Sequence, residues 1–228
     1  MSTIADNIGL VSERIRAAAK AVQRDAYSSH LLAVSKTKPA QAVREAYAAG
    51  MRDFGENYLQ EALGKQAELT DLPLSWHFIG PIQSNKTRAI AENFAWVHSV
   101  DRLKIAQRLS EQRPADLPPL NICIQVNVSG EASKSGCTPA DLPALANAIS
   151  ALPRLKLRGL MAIPEPTEDR TAQDAAFATV RDLQASLNLP LDTLSMGMSH
   201  DLESAIAQGA TWVRIGTALF GARDYGQP

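Results

Sequence analysis

The sequence has little of what usually marks a membrane, secreted or metal-binding protein. It has only two cysteines, Cys123 and Cys137, and because their spacing fits no metal site we expect both to be free thiols in a reducing compartment. No apolar run reaches the roughly 18 residues of a membrane span. The N-terminus also lacks the continuous apolar core of a signal peptide. Together these features predict a cytoplasmic protein without a membrane anchor.

A surplus of charge of either sign is also missing. Lysine and arginine total 23 against 24 aspartate and glutamate, which leaves a net charge of -1. Proteins that bind phosphate backbones are normally more basic, so nucleic acid is disfavoured as a partner. The four histidines show no metal-ligand spacing with a partner residue, so we predict no metal site. The hydrophobic fraction of 45% is ample for a large buried core.

What the chain does have is an alternation of short β-type runs with helical stretches. Eight repeats of this kind predict a parallel sheet closed as a (β/α)8 barrel, in one domain over residues 1–228. An open, doubly wound sheet is the alternative, but several of the runs end in polar residues, as if they faced one shared mouth. The runs cover residues 31–37, 52–57, 74–80, 95–100, 121–128, 155–163, 193–199 and 212–221.

An extra helix precedes the first strand, within residues 1–28. Its apolar residues recur every three or four positions and form one narrow stripe, which predicts a helix packed on the barrel wall. A coiled-coil or dimer contact is the alternative, but a barrel with one such stripe is compatible with a monomer. The stripe consists of Ile4, Ile8, Val11, Ile15 and Val22.

Lys36 ends the first β-type run. By the two-residue period of a strand, it shares one face with Leu32, Val34 and Lys38, so it is expected to enter the mouth of the barrel. Its stem could simply pack while its head reaches water. Alternatively, apolar walls and the nearby Lys38 cation would lower its pKa and free a neutral amine that condenses with an aldehyde.

Two loops near the end of the chain have the composition of a phosphate site. Gly197 and Ser199 precede a short predicted helix that begins near Asp201, and Gly216 with Thr217 ends the eighth run. Loops after strands seven and eight are the usual phosphate site of these barrels, where glycine allows close approach of backbone N–H groups. The alternative is that the glycines serve tight packing alone.

Arg214 completes the predicted site. Its apolar neighbours indicate that it is part-buried and needs a partner, which is a structural carboxylate, a phosphate or the ring nitrogen of pyridoxal phosphate (PLP). A lysine amine, a phosphate cradle and an inward arginine in one mouth describe a PLP pocket. Among the histidines, we expect His77 to be a satisfied interior residue, His98 to end strand four near the mouth, and His200 to border the phosphate loop.

At this point the sequence resembles the YggS/PROSC family of pyridoxal-phosphate-binding proteins. The resemblance implies a barrel like the N-terminal domain of alanine racemase, with PLP held as an aldimine on Lys36 and Asn57 lining the pocket. It further implies that Ser199, Gly216 and Thr217 hold the phosphate. Arg214 aligns with the arginine that faces the pyridine nitrogen, and a phosphate contact is an open alternative. The motifs are AVSKTKP, FGENYLQE, WHFIGPIQSNK, VNVSGEASKSG, RGLMAIP, LSMGMSHDLESAI and VRIGTALFGARDY.

The family is associated with vitamin B6 homeostasis and not with a defined enzymatic activity. The resemblance therefore implies a non-catalytic protein that holds PLP and delivers it to PLP-dependent apo-enzymes. The alternative is a racemase-like PLP enzyme, although 228 residues leave no room for the second domain that supplies the opposite acid/base in racemases. A Schiff-base aldolase without PLP would leave Arg214 unexplained. Two details stay open, namely Lys134 as a second amine and the lack of a basic tail after Arg223.

Overall fold

Eight parallel strands form a closed barrel in the computed structural model, which describes residues 2–132 and 134–222. Each strand pairs with the next along the chain, and the last pairs with the first, with His30 opposite Trp212 and Ala33 opposite Ile215. This confirms the predicted (β/α)8 barrel and excludes the open sheet. The strands are β1 His30–Val34, β2 Asp53–Glu56, β3 Ser75–Phe78, β4 Trp96–Val100, β5 Leu120–Gln125, β6 Leu155–Met161, β7 Thr193–Ser195 and β8 Trp212–Ile215.

Helices connect the strands on the outside of the barrel. The connections are long enough for a helical crossover, as parallel pairing requires. A single 3-10 turn, Ser84–Lys86, precedes the helix that follows β3. The helices are α1 Ile4–Ala21, α2 Ala40–Ala48, α3 Leu59–Glu68, α4 Thr87–Asn93, α5 Leu103–Gln112, α6 Leu142–Ser150, α7 Arg170–Ser186, α8 Leu202–Ala207 and α9 Thr217–Phe220.

The predicted N-terminal helix packs on the barrel. Thr3 and Asp6 form a capping box at the start of α1, which satisfies backbone N–H groups of the first turn. Ile8, Val11 and Ile15 are buried in the main core, as the stripe predicted. Val22 differs from the prediction, because the helix ends before it and its side chain is 40% exposed.

The apolar side chains form an outer and an inner layer. The outer layer lies between strands and helices and contains most of the core, including Phe54 and Phe177. The inner layer fills the barrel itself with two smaller groups, one around Leu32 and Val34 and one around Trp96. This division follows from the alternation of side chains along each strand. Residues that point inward therefore meet each other across the barrel.

Several predicted strands extend beyond the ends of the observed strands. The first strand ends at Val34, so Lys36 lies in the turn after the strand and not within it. His98 lies in the middle of β4 and is completely buried, and so it does not end the strand at the mouth. Cys137, whose neighbours in the sequence are polar, is buried, and its backbone pairs with that of Val126 in an isolated β-bridge. Both cysteines are free thiols, as predicted.

Two further points concern the described part of the chain. Within residues 2–132 and 134–222, none of the helices is apolar and long enough to traverse a bilayer. The tail after Arg223, whose lack of lysines departs from the family pattern, lies outside the described residues.

Candidate functional site

A cavity of about 330 Å³ opens where the strands end, at the carboxyl side of the barrel. The six residues predicted from the sequence all line it, and they come from the segments after β1, β2 and β7 and from β8 and the loop after it. The structure thus brings together every predicted site residue in one place. Those residues are Lys36, Asn57, Ser199, Arg214, Gly216 and Thr217.

The turn that carries Lys36 is held in place from behind. Thr37 adopts a left-handed backbone with φ of 64°, which is unfavourable for a β-branched residue. Its N–H donates to Glu61 Oε1 at 2.5 Å, and the preceding carbonyl of Ser35 accepts from Lys65 Nζ at 2.6 Å. Two side chains of α3 therefore fix the backbone on both sides of Lys36.

Glu56 and Lys65 form a buried ion pair beneath this turn. Their side chains are 0% and 5% exposed, and Lys65 Nζ lies 2.6 Å from Glu56 Oε1. The same oxygen accepts from the hydroxyl of Ser35 at 2.6 Å, while Lys65 also contacts Glu61 at 2.7 Å. Burial raises the pKa of Glu56, and the ammonium of Lys65 opposes that rise.

Glu56 belongs to the polar end of the predicted run 52–57, and such polar ends were expected to face the mouth of the barrel. The structure places it on the opposite side, between the sheet and α3. The two-residue period gives the reason: Asp53 and Gly55 point inward, so Phe54 and Glu56 point outward. The period would have revealed this orientation, but the sequence offered no sign of Lys65 as the partner.

The predicted phosphate loops lie side by side. Gly197 has φ of 99°, and the carboxylate of Asp201 accepts from the N–H of Met198 at 2.7 Å, which shapes the loop ahead of Ser199. Gly216 follows β8 and immediately precedes α9. A Cβ atom at Gly216 would lie 3.2 Å from the carbonyl oxygen of Val34, so glycine permits the close approach of β1 and β8 there.

Arg14 of α1 supports the first of these loops. Its Nη1 donates to the carbonyl of Ser199 at 2.7 Å, and its Nη2 donates to Glu203 of α8 at 2.7 Å. The N-terminal helix therefore takes part in shaping the site. Sequence reasoning assigned α1 to the barrel wall only, because nothing local links Arg14 to a residue 185 positions further along the chain.

Arg214 lies at the inner end of the cavity and is 5% exposed. Its Nη1 donates to the hydroxyl of Ser195 at 2.9 Å, and its Nη2 donates to the carbonyl of Ala162 at 3.0 Å. Burial lowers the pKa of Arg214 to about 10, so the guanidinium stays charged at neutral pH. Neither hydrogen-bond partner is a carboxylate, and the guanidinium borders the cavity.

Two buried polar atoms at the site show that the cavity fits a polar ligand. Thr37 Oγ1 and Asn57 Oδ1 lack a hydrogen-bond partner among the residues that the structure describes, and both residues line the cavity. Buried polar groups are normally satisfied, so each such atom suggests a missing partner. A phosphorylated aldehyde with a ring hydroxyl and a ring nitrogen, such as PLP, supplies polar atoms of this kind. The residues present therefore fit that cofactor.

Three other basic side chains border the site. Lys38 lines the same cavity, and its Nζ donates to the carbonyl of Ala222 at 2.6 Å, whereas His200 lines the cavity beside Ser199. Lys134 lies in an adjoining cavity of about 190 Å³ that shares Asn57 with the first. Its Nζ is 3.2 Å from a carboxylate oxygen of Glu131, so an ion pair holds the side chain of the lysine that the sequence left open as a second amine.

The interior histidines lie below the cavity and contact other side chains there. His77 donates or accepts at both ring nitrogens, toward His98 at 2.9 Å and Asp53 at 3.0 Å, as expected of a satisfied interior histidine. Across the described ranges, no group of three or more histidine, cysteine, aspartate or glutamate side chains has the arrangement of a metal site.

Comparison with known proteins agrees with this geometry. A family model described as "Alanine racemase, N-terminal domain" matches residues 11–224. A pyridoxal phosphate homeostasis protein of Pseudomonas aeruginosa is 78% identical over 228 residues, which cover 100% of this chain and 99% of that protein. The chain belongs to the pyridoxal phosphate homeostasis protein family. The resemblance read from the sequence motifs is thereby confirmed.

Further members of the family extend the match. The pyridoxal phosphate homeostasis protein of Escherichia coli is 53% identical over 234 residues, with 99% of each chain covered. A structure of PipY from Synechococcus elongatus with PLP bound is 46% identical, has a TM-score of 0.80, and is matched over 92% of this chain and 100% of that one. Alanine racemase from Corynebacterium glutamicum, 17% identical with a TM-score of 0.67 over 96% of this chain and 62% of its own, supports the fold alone.

Proposed function

We propose that this protein binds PLP in the cavity at the carboxyl ends of the strands and takes part in intracellular PLP homeostasis without catalysing a reaction of its own. The observation that carries the proposal is the convergence of the six predicted residues on one cavity, in which two buried oxygens lack a hydrogen-bond partner among the described residues. The PLP-bound relative and the names of the curated relatives support the choice of ligand.

The residues of the site would contact different chemical groups of PLP. Lys36 would supply the amine, because its turn is held rigid by α3 and aims it at the cavity. Ser199, Gly216 and Thr217 would bind the phosphate through hydroxyl and backbone N–H groups. Asn57 would meet a polar substituent of the ring. When bound, PLP supplies an aldehyde that bonds reversibly to a lysine amine.

Arg214 is the group that favours storage over catalysis. Its guanidinium is charged, fully hydrogen-bonded on one side and directed to the cavity on the other. A cation beside the ring nitrogen disfavours protonation of that nitrogen, and an unprotonated ring withdraws electrons weakly. The site is therefore suited to holding the cofactor and poorly suited to stabilising a carbanion. Delivery to apo-enzymes, a monomeric state and a cytoplasmic location, which the two buried free thiols support, are parts of the same proposal.

The decisive experiment uses the purified protein with added PLP. We expect a yellow protein, and after borohydride reduction and proteolysis the PLP mass should be attached to the peptide that contains Lys36. Lys36→Ala should abolish the label, whereas Lys38→Ala is the matched control, because it removes a second cation from the same cavity but leaves the rigid turn intact.

Two outcomes would contradict the proposal in different ways. A protein that takes up no PLP would remove the cofactor assignment altogether. Turnover of any amino acid by the PLP-loaded protein, lost in Lys36→Ala, would replace the carrier with a racemase-like enzyme. Transfer of bound PLP to an apo-enzyme without amino-acid turnover would support the carrier.

A further inference from the structure

A line of polar side chains crosses the interior of the barrel beneath the cavity. Asp53 begins β2, His77 lies on β3, His98 on β4, Ser195 at the end of β7 and Arg214 on β8. Both histidines and the serine are 0% exposed and the arginine is 5% exposed, so these groups depend on one another for hydrogen bonds. The inner groups around Leu32 and around Trp96 are apolar, so a continuous polar line between them is costly unless every member is paired.

Each link in the line is a short contact. Asp53 Oδ1 lies 3.0 Å from His77 Nε2, and His77 Nδ1 lies 2.9 Å from His98 Nε2. His98 Nδ1 is 2.7 Å from the hydroxyl of Ser195, which accepts from Arg214 Nη1 at 2.9 Å. A side contact of 3.4 Å from the hydroxyl of Ser75 to His77 Nε2 is longer than any of these.

The two end groups of this hydrogen-bond chain, the carboxylate of Asp53 and the guanidinium of Arg214, determine the direction of every hydrogen bond in it. The carboxylate of Asp53 has only acceptors, so His77 carries its proton on Nε2 and accepts at Nδ1. His98 must then donate from Nε2 and accept at Nδ1, which leaves the hydroxyl of Ser195 as the donor to His98. Ser195 accepts in turn from Arg214, which has only donors. Burial lowers the pKa of both histidines, so the neutral forms that this arrangement requires are the ones present.

Aromatic rings prevent the histidines from adopting another arrangement. The ring of His77 stacks on Trp96 with an interplanar angle of 4° and meets the edge of Trp212 at 5.0 Å between centroids. The ring of His98 lies 5.7 Å from the same Trp96. Both imidazole planes are therefore fixed by packing, and the hydrogen bonds to Asp53 and Ser195 select the ring flip that places the nitrogens along the hydrogen-bond chain.

We propose that Asp53, His77, His98 and Ser195 are positioning residues that act through one directional hydrogen-bond chain to hold the guanidinium of Arg214 at the cavity. In this hydrogen-bond chain every donated hydrogen points away from Arg214 and toward the carboxylate of Asp53. The oxygen of Ser195 therefore faces the guanidinium as an acceptor, which stabilises its charge and its orientation. It also explains how Arg214 is held although, among the described residues, no carboxylate accepts a hydrogen bond from it. The inference rests on the proposed function only for the identity of the group that Arg214 faces.

The first test uses the cofactor-free protein labelled with ¹⁵N. Long-range ¹H–¹⁵N spectra should show both interior histidines as the Nε2–H tautomer, with no titration between about pH 6.5 and 8. A Nδ1–H tautomer or a charged ring at either position would overturn the proposal. A merely structural pair of buried histidines has no reason to share one tautomer.

The second test breaks the chain next to Arg214. Ser195→Ala should shift the side-chain NMR signals of Arg214 in the cofactor-free protein, weaken PLP about twofold to tenfold and move the absorption band of the bound cofactor. Ser110→Ala is the matched control, because that hydroxyl is also buried and donates one bond, to Pro153, far from the chain. Equal effects of the two substitutions would overturn the proposal.

Two further measurements apply if Ser195→Ala does not fold or if the protein does not bind PLP. If Ser195→Ala does not fold, His98→Asn takes its place, because the amide oxygen can replace Nδ1 as the acceptor for Ser195 while no atom of asparagine reaches the position of Nε2, which contacts His77. It should change the His77 signals and also shift those of Arg214, whereas Ser110→Ala should shift neither. Arg214 signals that His98→Asn leaves unchanged would contradict the proposed hydrogen-bond chain. If the unaltered protein binds no PLP, the proposed function fails, while the Arg214 signals still decide whether the chain exists.

Discussion

Replacement of Lys65 by methionine tests whether the buried ion pair supports the Lys36 turn. The ammonium contacts Glu56 Oε1 at 2.6 Å, the carbonyl of Ser35 at 2.6 Å and Glu61 Oε1 at 2.7 Å. Glu61 is 30% exposed and can turn to water, but Glu56 is fully buried and its second oxygen has no partner among the described residues. The substitution therefore leaves one uncompensated buried charge and removes one of the two hydrogen bonds to the carbonyl of Ser35, which still accepts from the N–H of Lys38 at 3.1 Å.

The expected loss in free energy of unfolding is about 3–5 kcal/mol at pH 8, the range for breaking one side of a buried pair. Urea denaturation followed by circular dichroism measures it. Lys104→Met on α5 is the control, because Lys104 is exposed and the same change there should stay within about 0.5 kcal/mol. A loss of less than about 1 kcal/mol for Lys65→Met would refute the reasoning, since no buried charge would have been stranded.

The pH dependence sharpens the test. The pKa of Glu56 is already raised in the folded protein, and without Lys65 it rises further. Between the unfolded value of 4.5 and that raised value, the folded state binds the additional proton, so stability increases as the pH falls. The deficit of Lys65→Met should therefore be smaller at pH 5 than at pH 8. The double variant Glu56→Gln/Lys65→Met should recover part of the loss at pH 8.

Two further outcomes are expected. Burial lowers the pKa of His77 and His98 below 6.5, so the unfolded protein binds protons that the folded protein does not. The free energy of unfolding should therefore fall as the pH drops below about 6.5, by up to ~1.4 kcal/mol per pH unit for each histidine. His98→Asn should remove about half of that slope in urea titrations between pH 5 and 7; an unchanged slope would contradict the assignment. Gly80→Ala would place a Cβ 2.4 Å from the carbonyl oxygen of Asn57, so PLP binding should weaken by at least about tenfold in equilibrium dialysis, whereas Gly64→Ala, which meets nothing within 4 Å, should leave it unchanged.

The sequence predicted the barrel and the site residues because both depend on local patterns. Short apolar runs indicate strands, and loops after the last two strands contain the glycines and hydroxyls of an anion site. Lys36, Ser199 and Gly216 follow from position along the chain once eight strands are counted. The strand ends were less accurate, since polar residues after a strand look the same whether they extend it or form a turn.

The parts that the sequence could not predict arise from contacts between distant segments. His98 belongs to β4 and Ser195 to β7, and only closure of the barrel makes them neighbours. Lys65 finds Glu56 because α3 lies against β2, where an outward-facing residue is normally apolar. A single sequence contains the residues of such contacts but not the pairing.

The contact of Arg14 with Ser199 couples α1 to ligand binding in the cavity at the mouth of the barrel. The guanidinium of Arg14 on α1 binds the carbonyl of Ser199, in the first predicted phosphate loop, and the carboxylate of Glu203 on α8. However, α1 supplies none of the residues that line the cavity. Free energy gained by ordering the loop is therefore shared with the helix. When the cavity fills, amide hydrogens in α1 should exchange with solvent more slowly, and a label on that helix would report occupancy from outside the barrel.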